Sequence, residues 1–255
     1  MKTAVIASAL LLPLRTSNGA VTQNQPLAFE VASIKPHTPG NLAVGGMRPM
    51  PGGQTYVAGG VPVSLMIKLM YEITDSQIVG DPKWVNTELW DVVAKAARPS
   101  TRDQLHQMFQ TLLTDRFKLQ FHNETREMRA YVLTVDKSGA KVKLNNAQDT
   151  FDFPLKPDGS GKQIGTHVSM SYLCWVLSQF LNAPVVDRTG LDGYYDFMLG
   201  WMPPLRQPGD QPEVSPTEGA NLFTALREDV GLRLESGKTV VDVFVIDHIE
   251  RPSEN

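Results

Sequence analysis

Four stretches of the chain put apolar residues on one face of a helix. Leu65, Met66, Leu69, Met70 and Ile73 follow the i, i+3, i+4 spacing of a 3.6-residue period. Leu105, Met108, Phe109, Leu112 and Leu113 repeat it, as do Leu173, Val176, Leu177, Phe180 and Leu181, and then Leu222, Phe223, Leu226 and Val230. Ser100 and Asp103 read as an S-x-x-D start signal for the second helix, and Gly231 as the stop of the fourth. Short apolar runs bounded by turn residues predict strands over 29–35, 90–94 and 195–199. Two hairpins are also expected. One joins 117–121 to 131–135 around the polar run HNETRE, and the other joins 232–235 to 240–246 with a turn at Ser236-Gly237.

This order occurs twice. Each half reads helix, short β segment, strand, helix, hairpin. Residues 65–80 (LMIKLMYEITDSQIVG) align with 172–187 (YLCWVLSQFLNAPVVD) at an offset of 107, and 114–120 (TDRFKLQ) align with 229–235 (DVGLRLE) at 115. The expectation is an α+β protein of two tandem, duplicated modules, each packing helices on a small, mostly antiparallel sheet. The first module is placed at 27–146 and the second at 150–252. A Gly/Pro stretch over 39–60 precedes the first helix. A second such segment, 202–219, carries Pro203, Pro204, Pro208, Pro212 and Pro216, and is expected as an exposed loop.

Composition narrows the function classes. The chain has 255 residues and a net charge of −3, without the basic excess that a general nucleic-acid binder needs. A single cysteine rules out an intramolecular disulfide and a cysteine-based zinc site. Residues 1–20 have the order of a secretory signal, with Lys2, an apolar run to Leu14, then Arg15 to Ala20 with small residues at the exit. The expectation is export to the periplasm or the cell exterior, with no transmembrane segment once residues 1–20 are removed.

The motifs FEVASIKP, LLTDRFKLQFHNETREMRAYVLTV, VVDRTGLDGYYDF and VIDHIERPSEN resemble a family of uncharacterised secreted proteins enriched in soil Acidobacteria, a domain of unknown function. The likeness runs from Phe29 to Asn255. It implies export and a link to membrane sensor-peptidases of the antibiotic-sensing type, and carries over no catalytic residue. Each half also resembles, in element order, the short N-terminal domain of secretins and TonB-dependent receptors, which implies protein contacts in the periplasm.

Cys174 lies beside an apolar helical stripe and reads as a small buried hydrophobe. The five histidines are scattered without metal-ligand spacing, so neither metal nor cofactor is expected. Asp187, Asp192 and Asp196 crowd into VVDRTGLDGYYD. They read as a structural loop, with Asp187 bonding backbone N–H groups, Arg188 offsetting charge, and Gly190 and Gly193 supplying positive φ. The competing reading is an extracytoplasmic hydrolase using these carboxylates. Trp201, Tyr194 and Trp84, near loop or strand ends, are the candidate contacts for a ligand. The function expected is an exported, non-catalytic recognition or sensor-type module whose partner is a protein, a peptide or a component of the cell envelope.

Overall fold

The computed structural model describes residues 26–38, 45–147, 153–202 and 216–252, with the backbone alone at 216–220. Within them the protein is α+β, with twelve strands in three mostly antiparallel sheets and five α-helices. Residues 1–20 and most of the Pro-rich segment lie outside the described residues.

In the first half, β1 (Val31–Pro36), β2 (Gly46–Pro49), β3 (Thr55–Pro62) and β5 (Leu89–Lys95) form a sheet in the order β1-β5-β3-β2. Strand β2 and most of β3 arise from the Gly/Pro stretch over 39–60. Pro49 ends one strand, the turn at Gly52-Gly53 has positive φ at both glycines, and the apolar run from Tyr56 to Ala58 is buried. Helix α1 (Val63–Tyr71) buries Val63, Met66, Ile67 and Met70 on this sheet. The five-residue α2 (Lys83–Thr87) is too short to show a period and escapes sequence reading. Helix α3 (Arg102–Arg116) is capped by Thr101 with Gln104 in a reciprocal capping box, one residue later than the Ser100–Asp103 pair expected. Leu105, Phe109 and Leu113 are fully buried, and Gln110 donates to the Met70 carbonyl at 2.6 Å, tying α3 to the end of α1.

The second half repeats these parts. Strands β7 (Lys143–Leu144), β8 (Leu155–Pro157), β9 (Gln163–Ser169) and β11 (Tyr194–Leu199) order as β7-β11-β9-β8, the same sequence of roles as in the first sheet. Helix α4 (Met170–Leu181) buries Leu173, Cys174, Leu177 and Phe180. Helix α5 (Pro216–Asp229) takes the place of α3. It begins inside the segment expected as loop over 202–219, because proline is tolerated in the first turn, where its missing N–H has no partner to lose.

Neither predicted hairpin exists. Residues Gln120–Val135 are one strand, β6, and Leu232–His248 are another, β12. The two pair with each other, antiparallel, from Leu232↔Val135 to His248↔Gln120. HNETRE was read as a turn because it is polar throughout. Its polarity reflects exposure on both faces, while its backbone stays paired to β12. Likewise Gly237 has no positive φ and lies flat opposite Ala130. Two short strands flank this ribbon in parallel, β4 (Ile78–Val79) on β12 and β10 (Val185–Asp187) on β6, giving the order β10-β6-β12-β4.

The ribbon carries each half's last strand into the other half. Phe244, Ile246 and Ile249 complete the first core, where Phe121 stacks on Phe244 at 3.9 Å. Leu133 is fully buried in the second core, with Tyr131 and Val135 packed against it.

Candidate ligand-binding site

Where the two halves meet, the described residues line a partly open pocket of about 250 Å³. The first half supplies Met47 and Pro49 from β2, Tyr56 from β3, and Leu65 and Leu69 from α1. These two leucines sit beside the stripe that α1 buries in its own core, so one helix serves both surfaces. Arg102 and His106, one turn apart on α3, form the polar part of the wall. The second half closes the space with Tyr172 and Trp175 from α4, and with Phe153 and Pro154.

The polar wall is tightly held. Arg102 is 7% exposed. Its guanidinium lies 3.3 Å from Asp103 Oδ1 and 5.5 Å over the Tyr172 ring. Asp103 also accepts a hydrogen bond from the Tyr194 hydroxyl, so α3 is bound to β11 of the other half. The Tyr56 hydroxyl lies 3.3 Å from His106 Nε2. Burial, seconded by Arg102, pushes the His106 pKa down to about 4, so the imidazole is neutral near pH 7. Burial raises the Tyr56 and Tyr172 hydroxyls, which stay protonated. The Trp175 indole N–H is buried without an acceptor among the described residues. The wall is therefore apolar with several hydrogen-bond donors, and among the described lining residues none is Asp or Glu.

The residues singled out from sequence fall elsewhere. Trp201 is 5% exposed, with its ring edge-on to Phe180 in the second core. Trp84 lies at the surface beneath Arg251, whose guanidinium is 5.0 Å from the ring and forks onto Glu88. Tyr194 stacks on His167 at 3.9 Å and reaches the cavity's edge through Asp103. Cys174 is buried, and burial raises its thiol, so no thiolate forms near neutral pH.

Two of the three carboxylates in the Asp187–Asp196 segment, those of Asp187 and Asp196, accept from backbone N–H groups. Asp187 Oδ1 accepts from the Thr189 N–H and hydroxyl, both at 2.8 Å, and the Thr189 hydroxyl accepts from Leu191 N–H. Gly190 and Gly193 have positive φ, and Arg188 donates to the Thr239 hydroxyl at 3.0 Å. The Asp192 carbonyl accepts from Tyr195. Asp196 clamps a bulge in β9, accepting from His167 N–H at 2.9 Å and from the Asn145 amide at 2.7 Å.

The first half contains the same clamp. Asp91 Oδ1 accepts from Gly60 N–H at 2.9 Å, at the bulge in β3, and meets His37 Nδ1 at 2.7 Å. Gly60 and His167 stand 107 residues apart, the offset found in the sequence, and both have left-handed φ. Among the described residues no group of three or more His, Cys, Asp or Glu side chains is placed to hold a metal. His122 is exposed and pairs with Asp247 and Glu124. No described helix is long and apolar enough to cross a membrane.

Sequence reading missed the cavity because its wall is shared between halves. A signal was present in Arg102 and His106 at i, i+4 on the face of α3 adjoining the apolar stripe. A family model described as a protein of unknown function, DUF3738, matches residues 64–249, and the chain belongs to that family. No curated protein and no solved structure matches the chain.

Proposed function

We propose that this member of the DUF3738 family is an exported, non-catalytic recognition module, built from two duplicated units, whose ligand occupies the cavity between its halves. The observation that carries this reading is the pocket itself, a partly open, mainly apolar space lined by side chains of both halves, with a few donors on its wall. Concave, mostly apolar sites with a few placed polar groups are the usual form of a small-molecule site. The order of charge, apolar run and small residues over 1–20 supports export. Recognition is favoured over hydrolysis because Asp187 and Asp196 are each engaged by local backbone N–H groups. A catalytic pair would instead face each other across a cleft. Sensing would follow if a ligand joining both units changed how they sit together.

The test is a titration with a neutral apolar probe, 1-octanol, followed by methyl NMR. Saturable shifts are expected at Met47, Leu65 and Leu69. Methyl signals that stay unmoved up to the solubility of the probe would refute the cavity as a site. Export is checked by mass spectrometry of the protein from its native host, where a start near Ala20 or Val21 is expected and an intact Met1 is the contrary result.

A further inference from the structure

We propose a second binding site, for a phosphate monoester group, on the β6–β12 ribbon between Arg129 and Lys238. It shares no lining residue with the pocket between the halves, so it stands independently of the function proposed above.

The register of the ribbon builds the site. Arg129 lies directly opposite Lys238, and two residues further along the same face Tyr131 lies opposite Ser236. These four side chains, with Gly237 and with Leu181 from the end of α4, line an open pocket of about 530 Å³. Opposed residues in an antiparallel pair have Cβ atoms about 4.5–5.5 Å apart, so one bound group reaches both cations. Like charges placed this way repel, and an anion between them reverses the sign of that interaction.

The other arginines of the ribbon are matched. Arg126 donates twice to Glu124, at 2.8 and 3.2 Å, and Arg233 meets Glu235 at 2.6 Å. Arg129 and Lys238 differ. Both are exposed, and neither side chain has a hydrogen-bond or ion-pair partner among the described residues. Glu127, two residues from Arg129 on the same face, is exposed and pairs with neither. Among the described lining residues none is Asp or Glu.

Charge and donor count select the ligand. A phosphate monoester carries about −1.5 to −2 charges at neutral pH and three acceptor oxygens. Those oxygens accept from Arg129, Lys238 and the Ser236 hydroxyl together, and the arginine fork grips two of them. A carboxylate or a sulfate ester brings a single charge and leaves one cation unmatched. The Tyr131 ring, packed 6.0 Å from Phe223, and Leu181 give the rest of the ester an apolar seat.

The experiment titrates the full chain at pH 7.5 with phenyl phosphate, phenyl sulfate and phenol, read by calorimetry and by backbone amide NMR. Phenyl phosphate should bind at least about fivefold tighter than phenyl sulfate, with phenol weakest, and should shift the amides of Ala130 and Gly237. Arg129→Gln and Lys238→Gln should each weaken phenyl phosphate about tenfold, while Arg126→Gln stays within about twofold. All three positions are exposed, so the variants keep the fold. Vesicles of phosphatidylcholine with phosphatidic acid present the same group on a lipid. Sedimentation with them, lost in Arg129→Gln, assigns a lipid head group as the source; phenyl phosphate binding without sedimentation assigns a small ester. Equal affinity for phenyl phosphate and phenyl sulfate overturns the phosphate assignment. Unchanged affinity in both variants, or no saturable binding of phenyl phosphate, overturns the site.

Discussion

Two aspartates perform the same task in the two sheets, and that task is backbone repair. At each bulge one residue adopts left-handed φ and its N–H leaves the ladder. Asp91 and Asp196 accept those N–H groups, and a residue just after the edge strand, His37 or Asn145, completes each clamp. Asp91→Ala removes the acceptor from a part-buried N–H and should cost about 1–3 kcal/mol, measured by denaturant unfolding. In the second clamp the Asn145 amide, followed by the His167 N–H, holds the Asp196 carboxyl below its usual range. Its contribution is present above the unfolded carboxylate pKa and is lost as pH falls through the folded one.

His106 makes a second pH prediction of the same sign, at higher pH. The unfolded imidazole binds a proton near 6.5, and the folded one only near 4. Between those values the unfolded state holds the extra proton, so stability falls as pH is lowered from 6.5 to 4. The loss should be on the order of 1–3 kcal/mol, and His106→Gln should flatten that part of the stability–pH curve. An unchanged slope in the variant would show that His106 is not buried in its neutral form.

At the scale of elements, the helices were legible and the longest strands were not. Leu105, Phe109 and Leu113 have one reason for their spacing, the core of their own half, so a short window contains all the information. Strand β6 has three environments in sixteen residues: partly exposed at Gln120-Phe121, exposed on both faces over HNETRE, and buried or half-buried in the other half from Ala130. No single period covers it, and a polar interval between apolar ends reads as a turn. The cavity was illegible for a related reason. Leu65 and Leu69 look like ordinary members of a core stripe, and only the approach of α4 gives them a second role.

The connection into β12 depends on Gly231. Its φ is +68, and a Cβ there would lie 2.1 Å from the Gly139 carbonyl oxygen. Gly231→Ala should therefore destabilise by more than about 2 kcal/mol in thermal or denaturant unfolding, since both the backbone conformation and the contact are penalised. Cys174→Ala should cost only ~1 kcal/mol, a small cavity beside Leu173 and Leu177.

For the whole molecule, the exchange of strand ends makes the halves interdependent. The first core is completed by Phe244, Ile246 and Ile249, which lie more than a hundred residues beyond its last helix. A fragment of residues 27–146 lacks them, so it should show no cooperative unfolding transition, while the full chain unfolds in one step. Cooperative unfolding of the isolated fragment would show that its core is self-sufficient. The proposed ligand would touch two halves already joined by the β6–β12 ribbon and by Tyr194 on Asp103. The most direct test is an isotope-filtered NOE experiment on the labelled protein with unlabelled 1-octanol. The account predicts contacts from the same bound chain to the methyls of Leu65 or Leu69 in the first half and to the Trp175 ring in the second. Contacts confined to one half, or to exposed side chains such as Ile164 and Met198, would contradict it.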